Sequence, residues 1–392
     1  MQKKRLLFVI SNMKIGGIQK NTLNSLIELE KHFDITLCVF HAAGDYLGLI
    51  PDSIKIVRPD NPYKTLGMNN ADAIKSPSLF FTRIYYYAIM KLFGNGAMYK
   101  AMLKKQKHLG TFDYAVSTMQ AAPKGLFYSG CNELILEKVD AKQKIAYIHC
   151  DFVLSGVDNE YNRFVYRKLD KILVPNRSNY EQFISVMPEL KEKTFIVNNF
   201  CNYEEVKQKS QQDSVLYDNE KINVVTVARL GKEKGIDRAV EVCKKLKDEG
   251  FKFTYHVVGG GVEYEAVLDR VNELELNDTV FLHGFDSNPF KYIKNADLFL
   301  LPSRHEAAGL VIDEARCLNV PVLSTKTVAA EETLGMHDCG WVCENSEEGI
   351  YEGLKELLLN PNKIADKSKQ LCQTECNNDI PTAQFCEMLE KQ

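Results

Sequence analysis

Short runs of aliphatic residues, each followed by a longer segment studded with polar side chains, recur along the chain and predict its elements. LLFVIS at 6–11, ITLCVF at 35–40, YAVST at 114–118, KIAYIH at 144–149 and KILVPN at 171–176 are apolar at successive rather than alternate positions. That is the pattern of strands covered on both faces. Beyond residue 220 the alternation becomes regular, with INVVTVAR, FTYHVVG, VFLHGF, LFLLPS and VPVLST each separated by a stretch long enough for a helix. Such repetition predicts an α/β protein with doubly wound parallel sheets and helices on both faces. Between the two series lies EEVKQKSQQDSVLYDNEK, residues 204–221, nearly free of large aliphatic side chains and expected to be a linker outside either core. The ending PTAQFCEMLEKQ starts with Pro381 at a first helical position, after a polar gap at 373–379. The organisation expected is therefore a first domain over 1–205, a second over 206–375, and a terminal helix within 376–392 that packs back on the first.

Length agrees with two domains, since 392 residues exceed one ordinary core. A 45% hydrophobic and 26% charged composition is that of a soluble globular protein. The formal charge of −3 offers no general attraction to nucleic acid, so no nucleic-acid partner is expected. No run of apolar residues is long enough to span a bilayer, and Lys3, Lys4 and Arg5 lead into only five apolar residues before Ser11 and Asn12. This argues against a transmembrane helix and a secretory signal. The eleven cysteines are scattered, and the pairs Cys339/Cys343 and Cys372/Cys376 have no histidine cluster nearby, so reduced thiols in a cytoplasmic protein and no structural metal are expected.

Charge is one-sided in a single segment. Residues 73–112 contain no acidic side chain, while Lys75, Arg83, Lys91, Lys100, Lys104, Lys105 and Lys107 alternate with aromatic and aliphatic residues. Such a stretch suits an anionic membrane surface, which would make the protein peripheral on the inner face of the cell membrane. It equally suits an amphipathic helix pair whose lysines face water.

The richest segment is LPSRHEAAGLVIDEARCLNVPVLST, 301–325. It reads as strand, loop, helix and strand, with Gly309 opening the helix and Val311, Ala315 and Leu318 on one face. The loop is thus placed at the carboxyl edge of a parallel sheet, where ligands bind in such folds. A glycine there lets an anion approach the first turn, and the amides of Leu310 and Val311 can donate to it at the positive end of the helix dipole. Glu306 before the helix and Glu314 inside it are placed to accept from hydroxyls at opposite ends of one ligand, Glu306 from a sugar and Glu314 from a ribose.

This segment resembles the signature of the retaining glycosyltransferases of GT-B fold often called family 4, glycosyl transferases group 1. That pattern has two glutamates with seven residues between them, matched here by Glu306 and Glu314, while Ala308 stands where an aromatic residue is usual. The resemblance implies two Rossmann-like domains facing a central cleft, an acceptor-side domain first and a nucleotide-sugar domain second. In VARLGKEKGIDRAV, 227–240, it implies that Arg229 and Lys234 clamp the diphosphate, a task for which a guanidinium fork and an ammonium are chemically suited. In MKIGGIQKNTLNSL it implies that the turn at Gly16 and Gly17 faces the donor phosphates. This turn is not GxGxxG, so a dinucleotide fingerprint is absent. In KIAYIHCDF it implies that His149, with Asp151 two residues on, lines the acceptor side.

The activity expected from the resemblance is hexosyl transfer, with retention, from a nucleoside diphosphate sugar to a glycan or lipid-linked glycan in surface polysaccharide biosynthesis. Uridine is favoured as the base. Glu306, His149, Arg229 and Lys234 are the expected catalytic set, and neither metal nor other cofactor is expected, because fixed cations and amides meet the leaving-group charge. Two other readings remain open: a nucleotide-sugar epimerase of the same architecture, and a non-catalytic glycan-binding partner subunit.

Overall fold

In the computed structural model, which describes residues 3–213, 215–306 and 309–391, the aliphatic runs form two parallel sheets, each in its own unit. The first unit comprises Met1–Phe200 and Asn378–Gln392, the second Cys201–Asn377.

The first sheet contains β1 (Arg5–Ile10), β2 (Asp34–Val39), β3 (Lys55–Val57), β4 (Thr111–Ser117), β5 (Asp140–Tyr147), β6 (Lys171–Val174) and β7 (Thr194–Ile196). Their order is β3-β2-β1-β4-β5-β6-β7, every pair parallel. The order reverses between β1 and β4, so the connections leaving these strands diverge at their carboxyl ends, where ligands bind in folds of this kind. Leu6, Leu7, Val9 and Ile10 of β1 are buried from both faces. The helix Gly17–Leu29 covers one face through Leu23, Leu26 and Leu29. The last helix, Asp379–Glu390, adds Phe385, Met388 and Leu389 to this same core. The Lys171 ammonium donates to the carbonyls of Met388 and Lys391, and the amide of Asn198 donates to the Gln384 side chain at 2.8 Å.

The second sheet contains β8 (Ile222–Val227), β9 (Phe253–Val258), β10 (Val280–Gly284), β11 (Leu298–Leu301), β12 (Val322–Thr325) and β13 (Gly340–Cys343), in the order β10-β9-β8-β11-β12-β13. Again all pairs are parallel, and the reversal falls between β8 and β11. Val240, Leu246, Ile350 and Leu354 pack on one face; Ile293, Ile312, Ala315 and Leu334 pack on the other.

The stretch 204–221 is not wholly a linker. Its beginning forms the helix Tyr203–Ser210, whose Tyr203 and Val206 join the second core. Two large residues three apart suffice for a two-turn helix that offers one narrow stripe, although the segment is otherwise polar.

The basic, aromatic segment forms the helix Pro77–Leu103, broken at Gly94, where φ is +84°. Tyr86 and Met90 face the core, yet Phe81, Ile84, Tyr85 and Leu92 are exposed on the outer side. Spacings of three, four and eleven residues from Phe81 put these four on one helical stripe. Arg83 is not one of the surface cations. It donates to the carbonyls of Thr65 at 2.5 Å and Met68 at 2.9 Å and lies over the Phe127 ring. Among the described residues no helix is long and apolar enough to cross a membrane.

Candidate active site

In the second unit the loops that follow β8 and β11, neighbours at the reversal of strand order, are joined by several bonds. The amides of Arg304 and His305 donate to the Glu233 carbonyl at 2.8 and 3.3 Å. The Arg304 guanidinium donates to the Lys232 carbonyl at 2.9 Å and grips both oxygens of Asp237 at 2.6 and 2.8 Å. Arg238 reaches the Pro302 carbonyl with Nε and an Nη, at 3.0 and 2.7 Å, and Asn345 at 2.6 Å. Gly235 makes this closeness feasible: its φ is +67°, and a Cβ there would lie 2.1 Å from the Pro302 oxygen.

Within that frame Lys234 Nζ sits 2.6 Å from Glu306 Oε2, both side chains largely shielded from solvent. Glu306 Oε1 accepts a long hydrogen bond, 3.4 Å, from the Gly309 amide. Gly309 is left-handed, at φ +50° and ψ +40°, and directly precedes the helix Leu310–Cys317. A methyl group on it would press on Ile312 Cδ1 at 2.9 Å. Leu310 and Val311 are the first two residues of that helix, and Glu314, one turn further, is buried rather than solvated.

Lys234, Glu306 and Gly309 are thus brought together. Arg229 shares the loop but not the contact, since it is 80% exposed and paired with Glu233 at 3.0 Å. Position 308, expected from the motif to hold an aromatic residue, lies outside the described residues.

Asp237, Arg238 and Arg304 went unnoticed in the sequence, as did two hydroxyls. Ser303 Oγ and Thr327 Oγ1 are buried at the carboxyl ends of β11 and β12, without a hydrogen-bond partner among the described residues. Each is among the first polar residues after an apolar strand, a signal that strand-end reading offers. Among the described residues no cluster of His, Cys, Asp or Glu is arranged to hold a metal ion.

In the first unit Gly16 and Gly17 join β1 to the helix Gly17–Leu29, but not by way of glycine's special conformations. Gly16 is extended, at φ 174°, and a Cβ on it would meet only the flexible end of Gln19; one on Gly17 would meet open space. The pair therefore leaves the helix start uncovered and does not bend the chain.

His149 follows β5, stacked on Tyr147 with ring centres 4.1 Å apart. Burial pushes its pKa down to about 3, against the opposing pull of a hydrogen bond to the Thr118 backbone. Nε2 is buried without a partner among the described residues. A neutral imidazole with an available Nε2 lone pair can accept from a hydroxyl. Asp151 is occupied otherwise: its carboxylate accepts from the amides of Val153 and Leu154 at 3.0 and 2.7 Å and from the Gln182 side chain, which organises its own loop.

Residues 206–372 match the family described as Glycosyl transferases group 1. Over 213 residues the chain is 28% identical to the N-acetylgalactosamine-N,N'-diacetylbacillosaminyl-diphospho-undecaprenol 4-alpha-N-acetylgalactosaminyltransferase of Campylobacter jejuni, covering 53% of this chain and 57% of that one. The chain spans about half the length of the relatives it matches. A TarM variant of S. aureus, solved with fondaparinux, alpha-GlcNAc-glycerol and UDP, superposes with a TM-score of 0.70 at 14% identity, covering 99% of this chain and 100% of that one. HepE of Anabaena, solved with UDP and glucose, gives 0.69 at 14% identity, covering 98% and 99%. The fold is GT-B, and residues 206–372, which make up most of the second unit, match the glycosyl transferases group 1.

Proposed function

We propose that the protein is a retaining glycosyltransferase, moving a sugar from a nucleoside diphosphate carrier, a UDP-sugar first, to a hydroxyl of a glycan or lipid-linked glycan in surface polysaccharide assembly. The observation that carries this reading is the meeting of Lys234, Glu306 and the left-handed Gly309 at the strand-order reversal of the second unit. The family match over 206–372 and the names of the relatives support the same activity.

In this reading the donor diphosphate takes the amides of Leu310 and Val311 together with the Lys234 ammonium. Glu306, released in part from Lys234, accepts from sugar hydroxyls, and Glu314 from the ribose. Arg229 adds a second cation by leaving Glu233, an exposed pair whose loss costs less than about 1 kcal/mol. Acceptor oxygen forms a bond to the anomeric carbon on the face from which the phosphate departs. The anomeric carbon–phosphate oxygen bond breaks, and the acceptor proton passes to the departing phosphate. Charge that grows on the diphosphate is met by Lys234, Arg229 and the helix amides, without recourse to a divalent metal. The first unit is assigned to the acceptor, with His149 Nε2 accepting from a hydroxyl.

The outward stripe of Phe81, Ile84, Tyr85 and Leu92, with exposed Lys75, Lys91, Lys100, Lys104, Lys105 and Lys107 nearby in sequence, is assigned to an anionic membrane surface. A helix that is apolar on two sides needs a second covering, and the basic side chains choose lipid of opposite charge.

A thermal-shift panel of nucleoside diphosphate sugars tests the donor assignment. A donor at 100 times its dissociation constant should stabilise the fold by about 2.7 kcal/mol. A shift with a UDP-sugar that Lys234→Ala loses is expected; a flat panel across all bases would sink the reading.

A further inference from the structure

Away from the second unit's paired charges, the first unit carries cationic side chains at the ends of three neighbouring strands. Lys14 follows β1, His41 follows β2 and Arg58 directly follows β3; these strands are adjacent and parallel, with Cys38 opposite Val57 at the last pair of β2 and β3. All three therefore lie on the carboxyl rim of one sheet. Backbone bonds fix that rim. The His41 amide donates to the Ser11 carbonyl at 2.9 Å and the Met13 amide to the Ala43 carbonyl at 3.1 Å. Asn12 Oδ1 accepts from the Lys14 amide at 3.1 Å, while Asn12 Nδ2 donates to the Gly67 carbonyl at 3.2 Å. Gly67 permits this approach, since a Cβ there would lie 2.1 Å from the Ser11 oxygen and 2.9 Å from His41 Cβ.

Lys14 and His41 converge on one carboxylate. Lys14 Nζ donates to Asp72 Oδ2, and His41 Nε2 lies 3.8 Å from that same oxygen. The side chains of Lys14, Asp72 and His41 are 33%, 20% and 24% exposed, so a ligand can reach them. Burial lowers the His41 pKa; Asp72 raises it, and Lys14 and Arg58 lower it again, as expected where cations outnumber the carboxylate. A lone surface ion pair contributes little to a fold, so stability gives no reason for gathering these charges.

We propose that Lys14, His41 and Arg58 bind the phosphate of a phosphorylated acceptor, which takes the place of Asp72 on the Lys14 ammonium. Calling the ligand an acceptor rests on the transferase reading. β1 and β5 flank β4, so their ends are two strand spacings apart, about 10 Å. An acceptor with its phosphate at Lys14 and its hydroxyl at His149 thus carries one or two sugar residues between them.

The test saturates the full-length protein with UDP, to fill the anion site of the second unit, and titrates inorganic pyrophosphate, geranyl diphosphate and geraniol by calorimetry. Both diphosphates should bind in competition, and geraniol should displace neither. Lys14→Ala should weaken geranyl diphosphate by at least about tenfold, the worth of one hydrogen bond between ions. Asp72→Asn should tighten it, because the anion then displaces no carboxylate, whereas a merely structural pair would lose affinity in both variants. UDP affinity should be unchanged in both. The proposal is overturned if neither diphosphate binds, if Lys14→Ala binds as wild type, if Asp72→Asn weakens binding, or if Lys14→Ala loses UDP, which would put this cation with the donor. Pyrophosphate binding without geranyl diphosphate would mean a free-phosphate site and overturn the acceptor assignment. Wild type that binds UDP but no diphosphate leaves the transferase reading standing. Wild type that binds no UDP strikes at that reading instead, and the pyrophosphate titration with Lys14→Ala still decides this site.

Discussion

The two units share a strand-order plan yet differ in how many paired charges they place at the carboxyl ends of their strands. In the second, charges come in pairs on loops joined by backbone bonds: Lys234 with Glu306, Arg304 with Asp237, Arg229 with Glu233. In the first, the loop after β1 carries one such pair, Lys14 with Asp72, and the remaining strand-end residues are a neutral histidine, two side-chain-free residues and a carboxylate bound to its own loop. Paired charges keep a strongly charged site ordered before its ligand arrives, because each ion already has a counter-ion and an anion need only exchange one partner for another. The neutral His149 end of β5 has no such need, and it fits the binding of neutral hydroxyl groups, which gain little from a buried charge.

The most severe way to break that contrast is to remove the cation. Lys234→Ala leaves Glu306 without its counter-ion and the diphosphate without its shielded ammonium. Turnover is expected to fall by about 10²–10³, or roughly 3–4 kcal/mol of barrier, in a steady-state assay of donor consumption. Turnover within a few-fold of wild type would mean that the paired site is structural and that the anion binds elsewhere.

A smaller effect sharpens the contrast from the other side. Glu133 of the first unit is buried, and its partner is a neutral phenol, the Tyr161 hydroxyl at 3.1 Å. Burial pushes its carboxyl up to about 7, with a backbone hydrogen bond and then the Tyr161 bond pulling the other way. The folded state therefore holds this proton more tightly than the unfolded chain, whose value is near 4.5. The stability it contributes is complete below about pH 4.5 and is lost as pH rises through 7. Chemical denaturation should find the wild type about 2 kcal/mol less stable at pH 8 than at pH 5 on this account, and Glu133→Gln should flatten the difference. Equal pH slopes for the two proteins would show that the carboxyl is solvated or paired in solution.

Legibility in the sequence followed burial. Central strands such as β1, from Leu6 on, and β11 are unbroken apolar runs and announced themselves. By contrast β3, β7 and β13 have three or four residues of mixed exposure, too short to establish a period. The helix Tyr203–Ser210 was hidden because its core contact rests on two large side chains in a polar setting. Lys234, Glu306 and Gly309 were visible as strand-end residues with suitable spacing. Their contact was not, because Lys234 and Glu306 are 72 positions apart. The frame of Arg304, Asp237 and Arg238 was missed for the same reason: long-range pairs leave no local pattern. Arg83 misled in the opposite sense, since a cation in a basic run gives no sign that it turns inward onto carbonyls.

The smallest expected effect concerns the stripe on Pro77–Leu103, where the first unit departs furthest from the second. Leu92 is 75% exposed on a face shared with Phe81 and Tyr85, and Lys91 beside it is also exposed. If lipid covers this face, Leu92→Ala and Lys91→Ala should each weaken partition onto vesicles by about fivefold, near 1 kcal/mol. The two losses should respond differently to conditions. That of Lys91→Ala should shrink as salt screens the surface potential and vanish on vesicles of neutral lipid, while that of Leu92→Ala should persist in both. Co-sedimentation with phosphatidylglycerol and phosphatidylcholine vesicles at two ionic strengths separates the cases. Binding that depends on neither residue would assign the stripe to a protein partner, because an apolar face of this size on a helix already packed on its other side has no reason to stay bare.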